Sequence, residues 1–552
     1  MISSCKTLVL TVLPGIHCAI GYGLANSMLI EGDQGNILID TLESAESASE
    51  LKKDFEQISS KPIVAIIYTH NHADHVHGTR IFAQDNFEQI QIYSHEKLVD
   101  IIDNTMSLVQ PITFQRASRQ FGIYLTRESG HINAGIGSLL KYNQNSTRAF
   151  VYPTETFNTS SKLLTIAGRD LILYFAPGET DDQIVIYMPN ERVLFAADNI
   201  YKAFPNIYAI RGTTARDARQ WISSLDLMRN LHSEYLIPSH TKPIQGKREI
   251  FDILTKYRDA IQFAHDQTVR FMNQGLTPDE IIGNQLIQLP EQLRTHPYLQ
   301  EFYGTLNWSI RAIFDRYMGW FSGKTSDLNP DSPKTRAENL IKLGGGSQQV
   351  FDKAQQAFQQ NQFQWVLELT EALLVNPQDV QLAEVKQLQC QTLKQLALQQ
   401  TSANGRNWYL TKIVELEKSI EIKPSDEQKQ QTILNSSIKQ CFFLLPVYFN
   451  YGKVEDITKN QLFLFAFDDS NEKFSIEIRN GIVEIHNQWS QLDSAQIIVQ
   501  IKSELIWKQI IAKLKTPIEA FEDESIVIKD KNQQDYPEGI VNFLQFLVLF
   551  TP

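Results

Sequence analysis

Residues 62–78, PIVAIIYTHNHADHVHG, constrain this chain more than any other segment. Residues 62–68 are apolar and β-branched, with the length and composition of a buried strand. His70, His72, Asp74 and His75 follow at once. Consecutive side chains diverge on a strand, so these donors can converge only where the strand ends and the chain curls. A fold that accommodates the run therefore places a strand terminus over a polar cavity. His70 and His72 can share one cation there while Asp74 and His75 reach a second. Imidazole and carboxylate together suit zinc or a similar first-row metal. Histidine supplies only 12 of 552 residues, so four within eight positions, His77 included, do not fit a chance polar loop.

A metal centre needs ligands from other elements. Three downstream segments offer them: Ala176-Pro177-Gly178-Glu179-Thr180, Phe195-Ala196-Ala197-Asp198-Asn199 and Ile237-Pro238-Ser239-His240-Thr241. Each adjoins an apolar run, at 171–175, 193–197 and 235–237. Glu179, Asp198 and His240 thus stand at or near strand ends, where loops carry chemistry on a rigid scaffold. Taken singly, each reads as a turn residue.

In this order after the His-x-His-x-Asp-His run, the three resemble the later ligands of the metallo-β-lactamase superfamily. Glu179 stands where the general pattern has histidine, which narrows the resemblance to the metal-dependent alkylsulfatases. The segments 21–27 (GYGLANS), 208–212 (YAIRG) with Arg216-Asp217-Ala218 and Trp221, 265–268 (HDQT) and 319–323 (GWFSG) are similar to that family as well. The resemblance implies an α/β metallo-β-lactamase αββα sandwich, an all-α dimerisation domain and a C-terminal α+β sterol-carrier-like domain. It also implies a homodimer.

It further implies the ligand set. His70, His72 and Glu179 would form one site; Asp74, His75 and His240 the other; Asp198 would bridge them. Two Zn2+ or similar cations roughly 3.5–4 Å apart can share a water and lower its pKa toward ~7. Arg211 matches the family's sulfate-binding arginine, and a planar fork suits a tetrahedral oxyanion. Asn206 matches a second sulfate contact; Arg216, Arg116 and Tyr303 are further substrate-binding candidates. Without the resemblance, Arg211 and Arg216 read as surface or helix-terminus ion pairs.

The implied reaction is hydrolysis of a linear primary alkyl sulfate, of the dodecyl sulfate type, to alcohol and sulfate. Each methylene of the tail held in an apolar groove would contribute about 0.8 kcal/mol. The sequence departs from the family pattern at several points. Asp198 stands in place of glutamate, residues 178–183 (GETDDQ) are contracted, and His77 replaces glycine. The usual Arg-Arg-Ala-x-Tyr has become Gln115-Arg116-Ala117-Ser118-Arg119. Two other readings stand beside the sulfatase: a hydrolase of a lactone, thioester or phosphoester, and a non-catalytic lipid-binding protein with a relic metal site.

Composition bounds the partners. A net charge of −12 argues against nucleic acid or an anionic membrane, so an anionic substrate needs local positive charge. Cys5, Cys18, Cys390 and Cys441 lie far apart and are expected to be reduced thiols. No run reaches the ~18 apolar residues of a membrane helix, and the start, MISSCKTLVLTVLPG, is a weak export signal at best. A cytoplasmic location is expected, with export compatible with the family.

Length demands more than one core. Strands and helices alternate over residues 1–250, expected to form the catalytic domain, with strands at 36–40, 90–93 and 183–188. Residues 251–420 look helical, with a capping box at Thr277-Pro278-Asp279-Glu280 and a hairpin of helices at 350–359 and 363–374 like one tetratricopeptide pair. Residues 421–429 (EIKPSDEQK) read as a linker to a third domain, 425–552. There, strands are expected at 463–467, 474–478, 482–485 and 497–499, a two-residue hairpin at Asn480-Gly481, and helices at 503–515 and 539–549. This last domain could hold apolar tails or stabilise a dimer. His17, His95, His131, His232, His265, His296 and His486 are assigned structural roles.

Overall fold

A computed structural model describes residues 7–83, 89–143, 145–377, 380–450, 461–486, 497–532 and 534–550. The chain divides into two compact units, Met1–Ile102 with Pro111–Lys423, and Asp103–Gln110 with Pro424–Pro552.

The first unit is built on two facing sheets. One runs in chain order through Leu8–Leu13, Ile16–Ile20, Ser27–Glu31, Asn36–Ile39, Ile63–Ile67, Gln91–His95 and Glu155–Phe157. The other is ordered Ile244–Gln245, Tyr235–Pro238, Val193–Ala197, Ile184–Met188, Arg169–Phe175 and Ser161–Ile166. The period of two along each strand assigns the faces. Ile37 and Ile39 join Ala65, Ile67, Leu173, Ile186 and Phe195 in the core between the sheets. Leu38 and Ile66 turn outward and pack with Ala48, Leu51 and Phe55 of the helix Ala45–Ile58. The outer face of the second sheet, Val185, Leu194 and Leu236, packs on Trp221 of the helix Ala218–Asn230 and on Leu254, Tyr257 and Ile261 of Lys247–Met272. The expected αββα sandwich is the result.

That same apolar cluster continues into Ile281, Leu306, Ile310 and Ile313. The change to helical structure expected near residue 250 therefore falls inside one packed unit. The Thr277 capping box forms as expected, with reciprocal bonds between Thr277 and Glu280. The helices Ser347–Gln359 and Phe363–Val375 form the expected hairpin, and Leu382–Gln399 and Ala403–Lys418 follow it.

In the second unit the strand order is Ile482–His486, Lys473–Arg479, Gln461–Phe467, Ile497–Ile501 and Ile526–Lys529. Asn480 and Gly481 both have positive φ, 52° and 77°, as a two-residue hairpin turn requires. Phe442, Phe463, Phe465, Phe467, Phe474, Trp507, Phe543 and Phe546 fill its interior. Phe442 stacks on Phe474 with ring centroids 4.3 Å apart and lies parallel to Trp507 at 5.8 Å.

Two sequence expectations need correction here. The linker ends sooner than residue 429, because Ser425 and Gln428 form a capping box that opens the helix Asp426–Asn435. The helix expected over 503–515 stops at Ile511, since Thr516 and Pro517 cap and open a separate helix, Pro517–Glu522. The helix Ile438–Tyr448 and the strand Ile526–Lys529 were not anticipated. The first holds an internal proline and the second is only four residues long, which blunts both periodic signals. Cys18, Cys390 and Cys441 are free thiols; Cys5, with the rest of residues 1–6, lies outside the described residues.

Phe442 is fully buried at the centre of the aromatic core. Phe442→Ala is expected to destabilise the second unit by about 3–5 kcal/mol in denaturant unfolding; a loss below ~1 kcal/mol would contradict this packing.

Candidate metal centre

The donors converge because strands of both sheets end at one place. Asn36–Ile39 leads to Asp40, Ile63–Ile67 to Thr69 and His70, Val193–Ala197 to Asp198, and Tyr235–Pro238 to Ser239 and His240. Ala197 takes a left-handed conformation, φ 50°, which a non-glycine residue adopts at a cost. It turns the chain as the strand ends and leaves Asp198 next in sequence.

Two groups of donors form. His70, His72, Glu179 and Asp198 offer atoms within 4.8 Å of one another, and so do Asp74, His75 and His240. His72 Nδ1 lies 3.0 Å from His70 Nε2 and 3.3 Å from Glu179 Oε2. Asp198 reaches both groups: Oδ2 is 3.7 Å from His70 Nε2 and 3.2 Å from His240 Nε2, and Oδ1 is 3.7 Å from His75 Nε2. Asp74 Oδ2 is 3.6 Å from both His75 Nε2 and His240 Nε2.

Hydrogen bonds behind the rings fix which nitrogen faces inward. His75 Nδ1 donates to Asp40 Oδ2 at 2.7 Å. His240 Nδ1 donates to the Leu24 carbonyl at 3.0 Å. Thr69 Oγ1 donates to Asp40 Oδ2 at 2.8 Å and so accepts from His70 Nδ1 at 3.0 Å. With each Nδ1 engaged behind its ring, the three Nε2 atoms point into the cluster, the orientation a metal needs.

Charge follows the same geometry. Burial and neighbouring cations hold His70 and His72 well below the usual imidazole range, so both stay neutral. Burial would lower His75 too, but Asp74, Asp198 and Asp40 carry it up to about 10. Burial pushes the Glu179 carboxyl up to about 8 despite Arg216 beside it. A positive charge at the centre is therefore wanted by the carboxylates. Further evidence of fit comes from His75 Nε2, Glu179 Oε2 and Asp198 Oδ1, which are buried without hydrogen-bond partners. Uncompensated, each such atom costs ~1–3 kcal/mol. Divalent cations would satisfy all three.

The remaining candidates take distinct positions. Arg211 is buried and its Nη2 lies 2.8 Å from His72 Nε2, at the edge of the first group. Arg216 Nη2 pairs with Glu179 Oε1 at 2.5 Å, leaving Oε2 turned to His72; its Nη1 donates to the Asn206 carbonyl. The Asn206 amide is buried with neither polar atom bonded. Tyr303 is buried and packs edge-on against Tyr201, whose ring is 6.4 Å from that of His240. Arg116 does not join the donors: its Nε and Nη2 donate to the carbonyls of Arg211 and Ile210, both at 2.7 Å. His77 also stays out of both groups and lies 5.9 Å from the Tyr142 ring.

Two important residues escaped the sequence reading. Asp40 receives His75, Thr69 and, at 3.5 Å, Ser239; its only signal was an apolar strand ending in a carboxylate. Asn199 accepts from Glu179 N at 3.2 Å and donates to the Ala176 carbonyl at 2.8 Å, which shapes the Glu179 loop. Gly178 belongs to that clamp, since a Cβ there would lie 2.2 Å from Asn199 Oδ1. A third acidic and imidazole cluster, Glu477, Glu484 and His486, lies in the second unit and includes Arg479 as an internal partner.

Comparison with known proteins identifies the family. Residues 20–240 match the metallo-beta-lactamase superfamily and residues 277–419 match alkyl sulfatase dimerisation. A linear primary-alkylsulfatase from a Pseudomonas species is 35% identical over 470 residues, covering 83% of this chain and 88% of that one. An alkyl/aryl-sulfatase of Saccharomyces cerevisiae is 30% identical over 502 residues, 89% of this chain and 76% of its own. The solved structure of a double mutant of the sec-alkyl sulfatase PisA1 superposes with a TM-score of 0.89 at 25% identity, covering 99% of this chain and 85% of that one.

Asp40→Asn leaves one acceptor oxygen where several donors converge. It is expected to weaken metal retention ~10–100-fold in chelator competition; unchanged retention would remove Asp40 from this role.

Proposed function

The chain belongs to the alkylsulfatases of the metallo-β-lactamase superfamily, and on that premise we propose that it hydrolyses linear primary alkyl sulfates to alcohol and sulfate at a pair of divalent metals. One observation carries the reading: Asp198, a member of the first donor group, also reaches His75 and His240 of the second, while a buried guanidinium, Arg211, stands against the first. The 35% identity to a linear primary-alkylsulfatase favours a primary ester.

The residues divide the work. His70, His72 and Glu179 would hold one cation, Asp74, His75 and His240 the other, and Asp198 would bridge. Bound there, the pair would supply a hydroxide at neutral pH. Arg211 presents a fork suited to sulfate oxygens, and Asn206 brings an amide whose donors and acceptor are uncommitted. Asp40 and the Leu24 carbonyl keep His75 and His240 oriented. If hydroxide attacks carbon, the C–O bond breaks with sulfate as the leaving group and no strong general acid is needed; attack on sulfur would expel the alkoxide, which must take up a proton. Leu24, Phe121, Ala134, Ile136, Tyr201 and Tyr303 form an apolar cluster beside His240, suited to the start of an alkyl tail.

A homodimer fits the region matched to alkyl sulfatase dimerisation. Met318, Trp320, Leu328 and Leu343 within it are exposed, Trp320 by 75%, and apolar surface of that kind favours a partner. Among the described residues no helix is long and apolar enough to cross a membrane.

Arg211→Ala is expected to lower turnover of dodecyl sulfate at least ~100-fold, in line with loss of a transition-state anion contact, with metal content unchanged. Sulfate release from dodecyl sulfate, a secondary alkyl sulfate and an aryl sulfate measures the preference. Efficient opening of lactones or thioesters with dodecyl sulfate untouched would refute the proposal.

A further inference from the structure

Arg211 sits on an irregular loop, and a buried arginine is useful as an anion contact only if its backbone is held. The loop's own bonds are few: Gly212 N donates to the Ala209 carbonyl at 2.9 Å and Arg216 N to the Ile207 carbonyl at 3.1 Å. Gly212, with φ 104°, closes the turn. Arg316 Nη1 donates to the Ala215 carbonyl at 2.9 Å, and around Arg211 itself the support comes from one face of the helix Gln110–Phe121.

Arg116 and Gln120 lie one turn apart on that helix. Arg116 donates from Nε to the Arg211 carbonyl and from Nη2 to the Ile210 carbonyl, both at 2.7 Å. Gln120 Oε1 accepts from Arg211 N at 2.9 Å. Both peptide groups that flank the Arg211 Cα, together with its side chain's origin, are thereby fixed by two side chains. Gln120 is fully buried, so this bond is shielded from water.

The helix is in turn held by another, Ala403–Lys418. The Arg116 guanidinium lies over the Trp408 ring at 5.4 Å and that of Arg119 at 5.9 Å. Arg119 also pairs with Glu415 at 2.7 Å, and Asn407 Nδ2 donates to the Gln120 carbonyl at 3.3 Å. With Nε and Nη2 on carbonyls and its face on an indole, Arg116 is turned to the Arg211 loop and to Trp408. That occupancy disfavours a direct contact with substrate.

We propose that Arg116 and Gln120 are positioning residues that present Arg211 to the sulfate group, and that Trp408 ties this clamp to the helical region matched to dimerisation. Anion affinity is then set partly by residues that never touch the anion. Small displacements matter at this distance, since ~1 Å of misplacement can cost ~100-fold in rate. The inference rests on Arg211 being the anion contact.

A double-mutant cycle on the metal-loaded full chain tests it, read by the inhibition constant of inorganic sulfate and by kcat/KM for dodecyl sulfate. Arg116→Ala is expected to weaken sulfate inhibition ~10-fold or more, with metal content and the octyl-to-dodecyl selectivity ratio unchanged. In the Arg211→Ala background the same substitution is expected to change it less than ~2-fold. Arg116→Lys keeps the charge and loses the fork; it is expected to remain at least ~3-fold impaired, and it serves if the alanine variant does not fold. Full additivity of Arg116→Ala and Arg211→Ala would mean that Arg116 contacts the anion itself, and full rescue by lysine would mean that charge alone acts; either overturns the positioning role. If Arg211→Ala leaves sulfate inhibition intact, the anion contact itself is misassigned, a different failure.

Discussion

The Asp40 carboxylate ties together the strand ends on which everything else depends. It accepts from Thr69 N, Thr69 Oγ1, His75 Nδ1 and Ser239 Oγ, drawing the ends of Asn36–Ile39, Ile63–Ile67 and Tyr235–Pro238 to one point. Through Thr69 it also sets the His70 ring. A buried carboxylate is costly unless its oxygens are bonded, and here the bonds that satisfy it are the ones that aim the imidazoles. Scaffold and site are stabilised by the same contacts.

The centre beyond Asp40 is electrostatically unfinished as a protein. Glu179 and Asp198 are buried, and Asp74 is nearly so. Arg216 answers one oxygen of Glu179, and His75 Nε2, Glu179 Oε2 and Asp198 Oδ1 remain buried without hydrogen-bond partners. Such a cluster is kept together by the rigid strands around it as well as by its own contacts. Its chemistry follows from that tension: a site that favours cations, next to a guanidinium that favours anions.

Much of this was legible from local sequence. The run 69–78 stood out as a candidate metal loop because histidine is scarce elsewhere in the chain, and Glu179, Asp198 and His240 stood out as polar residues terminating apolar runs. The hairpin at Asn480-Gly481 and the Thr277 capping box were readable because each is a contact within four residues. Other features required the fold. Asp40 lies 35 positions from His75, and no spacing announces that pair. Arg116 resembled a substrate contact by motif, yet its partners lie 94 and 95 residues away in the loop that carries Arg211. The helix opening at Asp426 was hidden inside a polar stretch that read as a linker until Ser425 and Gln428 were seen to cap it.

The central claim is that two cations held by these seven donors are required for sulfate ester hydrolysis. Stepwise metal titration of the stripped protein, with bound metal and sulfate release from dodecyl sulfate measured on the same samples, tests it most directly. The account predicts activity that rises to its plateau at two equivalents per chain. A plateau at one equivalent, sulfate release without metal, or stoichiometric binding with no sulfate released would contradict it.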